Sequence, residues 1–236
     1  MNCVVKKHEL DRLLEVTYAV AKDEARPVLM GIGVGNSKFA AIDGVRISVR
    51  KSVIIEGIQE MIMPMSVVRA YKGLKLSSDT DIEIIDDGEY VGFLIGDLLI
   101  QDKCIPGNFI KYESIIPKEY DIRITLKNEN LVRELKTFNK TKFVGLIVKK
   151  ETLTIRGLTN GEEHNLGINL LSCEGLDREE FTISVNPKLL IEAIKNYKYS
   201  IQFEFTSPVS PIVISNGSDG GDLDLLLPVR TVNKNV

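Results

Sequence analysis

Read from its start, this chain passes twice through one order of patterns: helix, strands, helix, strands. In residues 8–21, Leu10, Leu13, Leu14, Thr17, Tyr18 and Ala21 recur at helical spacing, which predicts a helix. β-like runs follow at 28–34, 38–42 and 46–55, with a turn at Asp43-Gly44. Pro64 then opens a second helix with Val67, Val68, Tyr71 and Leu74 on one side. Strands are predicted at 81–85, 90–95 and 98–102. Past residue 120 the order begins again. Asn128 can cap a helix through Leu131, Leu135 and Phe138. Strands are predicted at 143–148, 152–157, 163–172 and 180–185, with Asn160-Gly161 as a turn. Pro187 opens a fourth helix with Leu189, Leu190, Ala193, Ile194 and Tyr197, and strands at 200–206, 211–215 and 223–228 finish the series. A repeat on this scale predicts two similar α+β domains, 1–117 and 118–236, each with two helices packed on antiparallel sheets. The stretch 104–120, which carries Pro106, Gly107 and Pro117, is expected to link them.

With 236 residues, 44% of them hydrophobic, the chain can fill two such cores. It has no run of about 18 apolar residues, so no membrane-spanning helix is expected. No apolar stretch follows Lys6 and Lys7, so no secretory signal is expected either, and the expected location is the cytoplasm. Cys3, Cys104 and Cys173 are odd in number and far apart, which fits neither a disulfide framework nor a metal knuckle. His8 and His164 are the only imidazoles, and no HExxH spacing joins them. Gly31-Ile-Gly33-Val-Gly35 resembles part of a dinucleotide fingerprint. Asn36 stands where the third glycine belongs, however, and a strand follows where a helix is needed. These glycines are therefore read as a strand and turn. No catalytic residue, cofactor or metal site is expected.

Charge is uneven among the elements. The helix opened by Pro64 carries Arg69, Lys72 and Lys75 and no acid. The next two carry Arg133, Lys136, Lys140 and Lys142, then Lys188, Lys195 and Lys198, each set in excess over its acids. The first helix is instead acidic on balance, and the whole chain has a net charge of −3. Basic helices on an acidic protein fit a surface facing a polyanion, with phosphate contacts that carry no sequence information. Charge alone leaves ordinary solvated helix faces as the alternative.

Several segments resemble the bacterial DNA polymerase III beta-subunit sliding clamp family. Arg26-Pro-Val-Leu-Met-Gly31 and Ala41-Ile-Asp-Gly-Val-Arg-Ile47 are similar to its middle domain, and Phe109-Ile-Lys-Tyr-Glu-Ser-Ile-Ile-Pro117 to the linker that follows. Val185-Asn-Pro-Lys-Leu-Leu190, Phe205-Thr-Ser-Pro-Val-Ser-Pro211 and Leu225-Leu-Leu-Pro-Val-Arg230 are similar to its C-terminal domain. The pieces occur in family order along nearly the whole chain, and the family's first domain has no counterpart.

The resemblance implies a sliding clamp that encircles double-stranded DNA and tethers DNA polymerase and clamp-loader peptides. A ring of six such domains would take a homo-oligomer, a trimer of this chain. Arg69, Lys72, Lys75, Arg133, Lys136, Lys140, Lys188, Lys195 and Lys198 would face the duplex. The family's peptide pocket would take Leu29, Ile42, Gly44, Val45, Arg46, Ile47, Ile115, Leu189, Pro211, Leu225, Leu227, Pro228, Val229 and Arg230. Ile42 stands where the family usually has Thr, Val45 where it has His, and Ile110 and Ser114 where it often has Pro and Arg, so the pocket would be more apolar. The alternative is a clamp-derived adaptor that binds peptides without forming a ring on DNA.

Overall fold

A computed structural model describes residues 3–159, 161–217 and 221–230. It divides into two compact units, residues 1–111 with 220–222, and residues 112–219 with 223–236.

In the first unit, β1 (Cys3–Lys6) leads into α1 (Lys7–Leu13), and a tighter 3-10 segment, Leu14–Ala19, continues it. β2 (Gly31–Gly35), β3 (Lys38–Ile42), β4 (Arg46–Lys51) and β5 (Met61–Pro64) precede α2 (Met65–Lys72), and β6 (Asp81–Asp86), β7 (Tyr90–Ile95) and β8 (Leu98–Lys103) close the unit. Its strands run in the orders β1-β6-β7-β8 and β5-β2-β3-β4, all antiparallel.

The second unit repeats this with β9 (Ile122–Lys127), α3 (Leu131–Leu135), β10 (Val144–Val148), β11 (Thr152–Thr159), β12 (Glu162–Glu174), β13 (Phe181–Val185), α4 (Pro187–Ile194), β14 (Ser200–Phe205), β15 (Ile212–Ser215) and β16 (Leu223–Leu226). Its order, β13-β10-β11-β12 continuing into β9-β14-β15-β16, is the first unit's pattern strand for strand. The fold is α+β, as the repeat predicts. One difference is that the 13-residue β12 pairs with β11 and then, past an irregularity at Leu170/Ser172, with β9.

Helix periodicity selects the buried faces. α2 buries Val67, Val68 and Tyr71, and the Tyr71 ring lies 5.3 Å from that of Phe93. α4 buries Leu190, Ala193 and Ile194. Its N-terminus is capped by Asn186, whose Oδ1 accepts from Lys188 N at 2.9 Å. Leu10, Leu13 and Leu14 are buried completely among both sheets' side chains. Each such residue contributes on the order of 2 kcal/mol through burial. Phe181, Phe203 and Phe205 fill the second core, with ring centroids 5.2 and 6.3 Å apart.

Local chemistry moves several predicted boundaries. The helix expected over 8–21 is α only to Leu13, because Val16 and Thr17 are β-branched and fit a helix poorly. The strand expected over 28–34 starts only at Gly31, since Pro27 fixes a 3-10 turn through Leu29. The run 46–55 breaks at Ser52, whose hydroxyl accepts from Ile54 N and caps the 3-10 turn Val53–Ile55. Asn128 is not the cap of α3: Asn130 holds that position, and the Asn128 amide instead donates to Ile194 O at 2.9 Å and to Tyr197 O. β1, β5 and β9 are additional strands that the patterns did not predict. Asn160, half of one predicted turn, lies outside the described residues.

The Gly31–Gly35 strand needs its glycines. A Cβ on Gly33 would come 2.5 Å from the Phe109 ring, and one on Gly31 would come 2.6 Å from Met63 O. Residues 104–111 lie across this strand, anchored where Ile105 N donates to Ile62 O at 3.0 Å.

Candidate functional site

Two groups of side chains were expected to act outward, and they sit differently. The cationic group lies on the helices. Arg69, Lys72 and Lys75 are exposed on and just after α2, opposite its buried face. α1 and α2 are held together where Tyr71 Oη donates to Asp11 Oδ1 at 2.9 Å and Lys72 Nζ donates to Thr17 Oγ1 at 3.0 Å. In the second unit α3 packs beside α4. Arg133, Lys136 and Lys140 are exposed on and after α3, as are Lys188, Lys195 and Lys198 on and after α4. Arg133 meets Glu134 at 3.2 Å, an exposed pair that costs little to break. Both helix pairs thus offer long cations to solvent from an apolar base, an arrangement that can hold phosphates by screened, non-directional attraction.

The apolar group is more mixed. In the first unit Leu29, Ile42 and Ile47 are at most 5% exposed, so they belong to the interior. The turn between β3 and β4 reaches the surface: Gly44 is exposed at φ 95°, and Val45 is 44% exposed. Asp43 builds this turn. Its Oδ1 accepts from Val45 N and Arg46 N at 3.1 Å, and its Oδ2 accepts from Arg46 Nε at 2.7 Å. The Arg46 guanidinium also lies 5.0 Å from the Tyr18 ring centroid. Asp43 was not among the expected site residues, although an Asp-Gly turn is a legible signal.

In the second unit α4 packs against β16. Leu189, in the first turn of α4, is half-buried. Leu225 is buried in β16 opposite Val213, and Leu227, just beyond it, is 37% exposed. Pro228 and Val229 are half-buried, and Val229 N donates to Ser184 O at 2.8 Å, which turns this segment back onto β13. Arg230 is exposed, Pro211 is half-buried, and Ile115 is 45% exposed. Val209, 66% exposed, is a further apolar side chain near Pro211, on a loop pinned by the 2.7 Å contact of the Ser207 and Ser210 hydroxyls.

Among the described residues no three His, Cys, Asp or Glu side chains gather as a metal site. All three cysteines are half-buried, and burial pushes each thiol pKa up, away from the reactive thiolate. No helix among the described residues is long and apolar enough to cross a membrane.

A duplicated unit of two helices on antiparallel sheets, with cations on the helices, defines a clamp of the DNA-polymerase type, and solved structures share it. A Bacillus subtilis DNA polymerase sliding clamp superposes with TM-score 0.85 at 23% identity over 98% of this chain and 64% of that one. A putative DNA polymerase III beta subunit from Eubacterium rectale superposes with TM-score 0.87 at 18% identity, over 98% and 66%. Residues 113–230 match the family described as DNA polymerase III beta subunit, C-terminal domain, and the chain belongs to the DNA polymerase III beta subunit family. The Beta sliding clamp of Caulobacter vibrioides is 26% identical over 96% of this chain. That of Lactococcus lactis is 26% identical over 92% of it. The chain spans 65% and 61% of these relatives' lengths.

Proposed function

We propose that this protein is a DNA sliding clamp: a non-catalytic cytoplasmic factor that encircles duplex DNA without reading its sequence and tethers replication proteins. The exposure of all nine expected cations on helices whose opposite faces are buried carries the reading. Such contacts are individually weak and screened by salt, which suits a protein that must move along DNA. Residues 1–117 act as the family's middle domain and 118–236 as its last domain. Three copies complete the ring of six domains.

The proposed tether is a hydrophobic peptide site. Leu227, Val229, Leu189 and Pro211 supply apolar contact in the second unit, and Arg230 supplies a polar rim. Val45 and Arg46 contribute from the rigid turn of the first. Buried Leu29, Ile42, Ile47 and Leu225 shape the surfaces beneath. The site takes peptides with apolar anchors, such as those of a DNA polymerase or a clamp loader.

Retention on linear duplex DNA tests the encircling role. With both ends blocked by bulky protein, the clamp stays bound through a salt wash. With the ends open it slides off. Lys136→Glu combined with Lys195→Glu lowers retention while leaving the melting temperature unchanged. Equal retention on open and blocked DNA, or no effect of the double reversal, would refute the assignment. A fluorescent peptide bearing a polymerase clamp-binding motif tests the second role. Binding unaffected by Leu227→Asp would remove these residues from the site.

A further inference from the structure

Because the units repeat one strand order, corresponding strands can be compared for exposure. β8 and β16 correspond. β16 is buried at Asp224, Leu225 and Leu226, whereas β8 is open, with Leu98 45% and Leu99 49% exposed. β4 and β12 also correspond. β4 is buried from Ile47 to Arg50, whereas no residue of β12 is buried. Each unit therefore leaves uncovered the strand whose counterpart is covered in the other. Among the described residues β8 pairs only with β7, and residues 162–169 of β12 pair only with β11. An edge strand of this length, with no proline and with leucines on both faces, is a template for another strand.

We propose that β8 of one copy pairs antiparallel with residues 163–168 of β12 in a second copy. Side-chain facing restricts the register. Leu98 and Ile100 lie opposite Ile95 and Phe93, so they share the core-facing side of their sheet. Leu166 and Ile168 lie opposite Ile155 and Leu153, each 1% exposed, so they share the core-facing side of theirs. Directly opposed residues share a face, and a slip of one residue would turn every apolar side chain outward. Within that limit one alignment matches throughout. Leu98 meets Ile168, Leu99 meets Gly167, Ile100 meets Leu166, Gln101 meets Asn165, Asp102 meets His164 and Lys103 meets Glu163. A shift of two residues sets Asp102 against Leu166 in one direction and Ile100 against His164 in the other. Lys103 already holds Glu89 at 2.9 Å, and Glu163 accepts from Asn165 at 3.0 Å. An ammonium has three protons, so it can serve Glu89 and Glu163 together.

Such a contact joins two different surfaces, so it either closes into a ring or continues as a filament. Closure at three copies rests on the clamp reading above, whereas the pairing rests on the exposure of the two strands. The test uses the full chain with Cys3, Cys104 and Cys173 replaced by Ser, and with Ile100→Cys and Leu166→Cys introduced together. Mild oxidation should give disulfide-linked multimers that neither single variant forms. In a chain without these cysteine changes, light scattering across a concentration series should show Lys103→Glu and Glu163→Lys each weakening association about fivefold, and the double swap restoring it. A monomer at every concentration overturns the pairing. So does an oligomer that neither charge change weakens, or cross-linking by Ile100→Cys alone. Cross-linked multimers without retention on end-blocked DNA would support the pairing and remove the clamp reading.

Discussion

Asn128 offers a sharp test of how the second unit is held. It is 5% exposed and ties the end of β9 to the end of α4, its amide donating to Ile194 O at 2.9 Å and to Tyr197 O. Its own Oδ1 has no partner among the described residues. Ile194 O keeps a second donor in Tyr197 N, at 3.1 Å. Asn128→Ala therefore removes two hydrogen bonds of roughly 1 kcal/mol each, exposes one carbonyl to an unpaired burial cost of about 1 kcal/mol, and recovers about as much by deleting the unsatisfied Oδ1. The expected loss is about 2 kcal/mol. Asn128→Asp is worse, because it points a buried carboxylate at two carbonyl oxygens, and at neutral pH the expected loss is at least ~4 kcal/mol. Its sign with pH is fixed. A carboxyl whose charged form is disfavoured in the folded state has a raised folded pKa, so the folded chain binds more protons than the unfolded one and stability falls as pH rises above about 3.9. Urea unfolding followed by far-ultraviolet circular dichroism, at pH 4 and pH 7, separates these cases. An Asp variant equal to the Ala variant at both pH values would refute the assigned direction of these hydrogen bonds.

Three further outcomes follow from other contacts. Arg12 Nη2 donates to Glu9 Oε1 at 2.8 Å, and this bond holds the Glu9 pKa below its ordinary value. The resulting stabilisation is present above about pH 4.3 and is lost as pH falls through the lowered folded pKa. Arg12→Ala should therefore cost roughly 1–2 kcal/mol at neutral pH and flatten the acid limb of a stability–pH curve. Gly33→Ala drives a Cβ to 2.5 Å from the Phe109 ring, so a lower urea midpoint worth about 1–3 kcal/mol is expected. Tyr197 Oη lies 2.7 Å from Oδ2 of the fully buried Asp224. Tyr197→Phe should cost about 1–3 kcal/mol in thermal unfolding, and Asp224→Asn should partly restore the double variant.

The repeat was legible because helical and strand periods survive divergence of identity, as Val67, Val68 and Tyr71 or Leu190, Ala193 and Ile194 show. The strands that escaped are short or polar at the ends. β1 is four residues that end in Lys6, and β5 is four residues that end in Pro64. Asn128 was misread because a cap and a buried staple use the same side chain, and only the partner's position in space distinguishes them. The cationic set was readable one residue at a time, since exposure of Lys and Arg is the ordinary outcome. The apolar set was not: Leu29 and Leu227 are the same residue type, yet one is 1% and the other 37% exposed. Composition gives both the same tendency to be buried, and tertiary contacts decide where each ends up.

The first helix shows how a chain of net charge −3 can still present basic surfaces. α1 and its 3-10 extension carry Glu9, Asp11 and Glu15, a poor face for a polyanion. Each acid is answered inside the same unit: Glu9 by Arg12 at 2.8 Å, Asp11 by Lys7 at 2.5 Å, and Glu15 at 3.2 Å by Arg50, whose side chain is 2% exposed. An ion pair has a field that falls off much faster than that of a lone charge, and salt shortens its reach further. At a distance α1 is therefore close to neutral, while Arg69 and Lys75 on the neighbouring element stay exposed. Burying Arg50 carries a desolvation cost that a methionine would avoid. Its retention beside Glu15 makes sense where a bare carboxylate next to α2 would oppose phosphate.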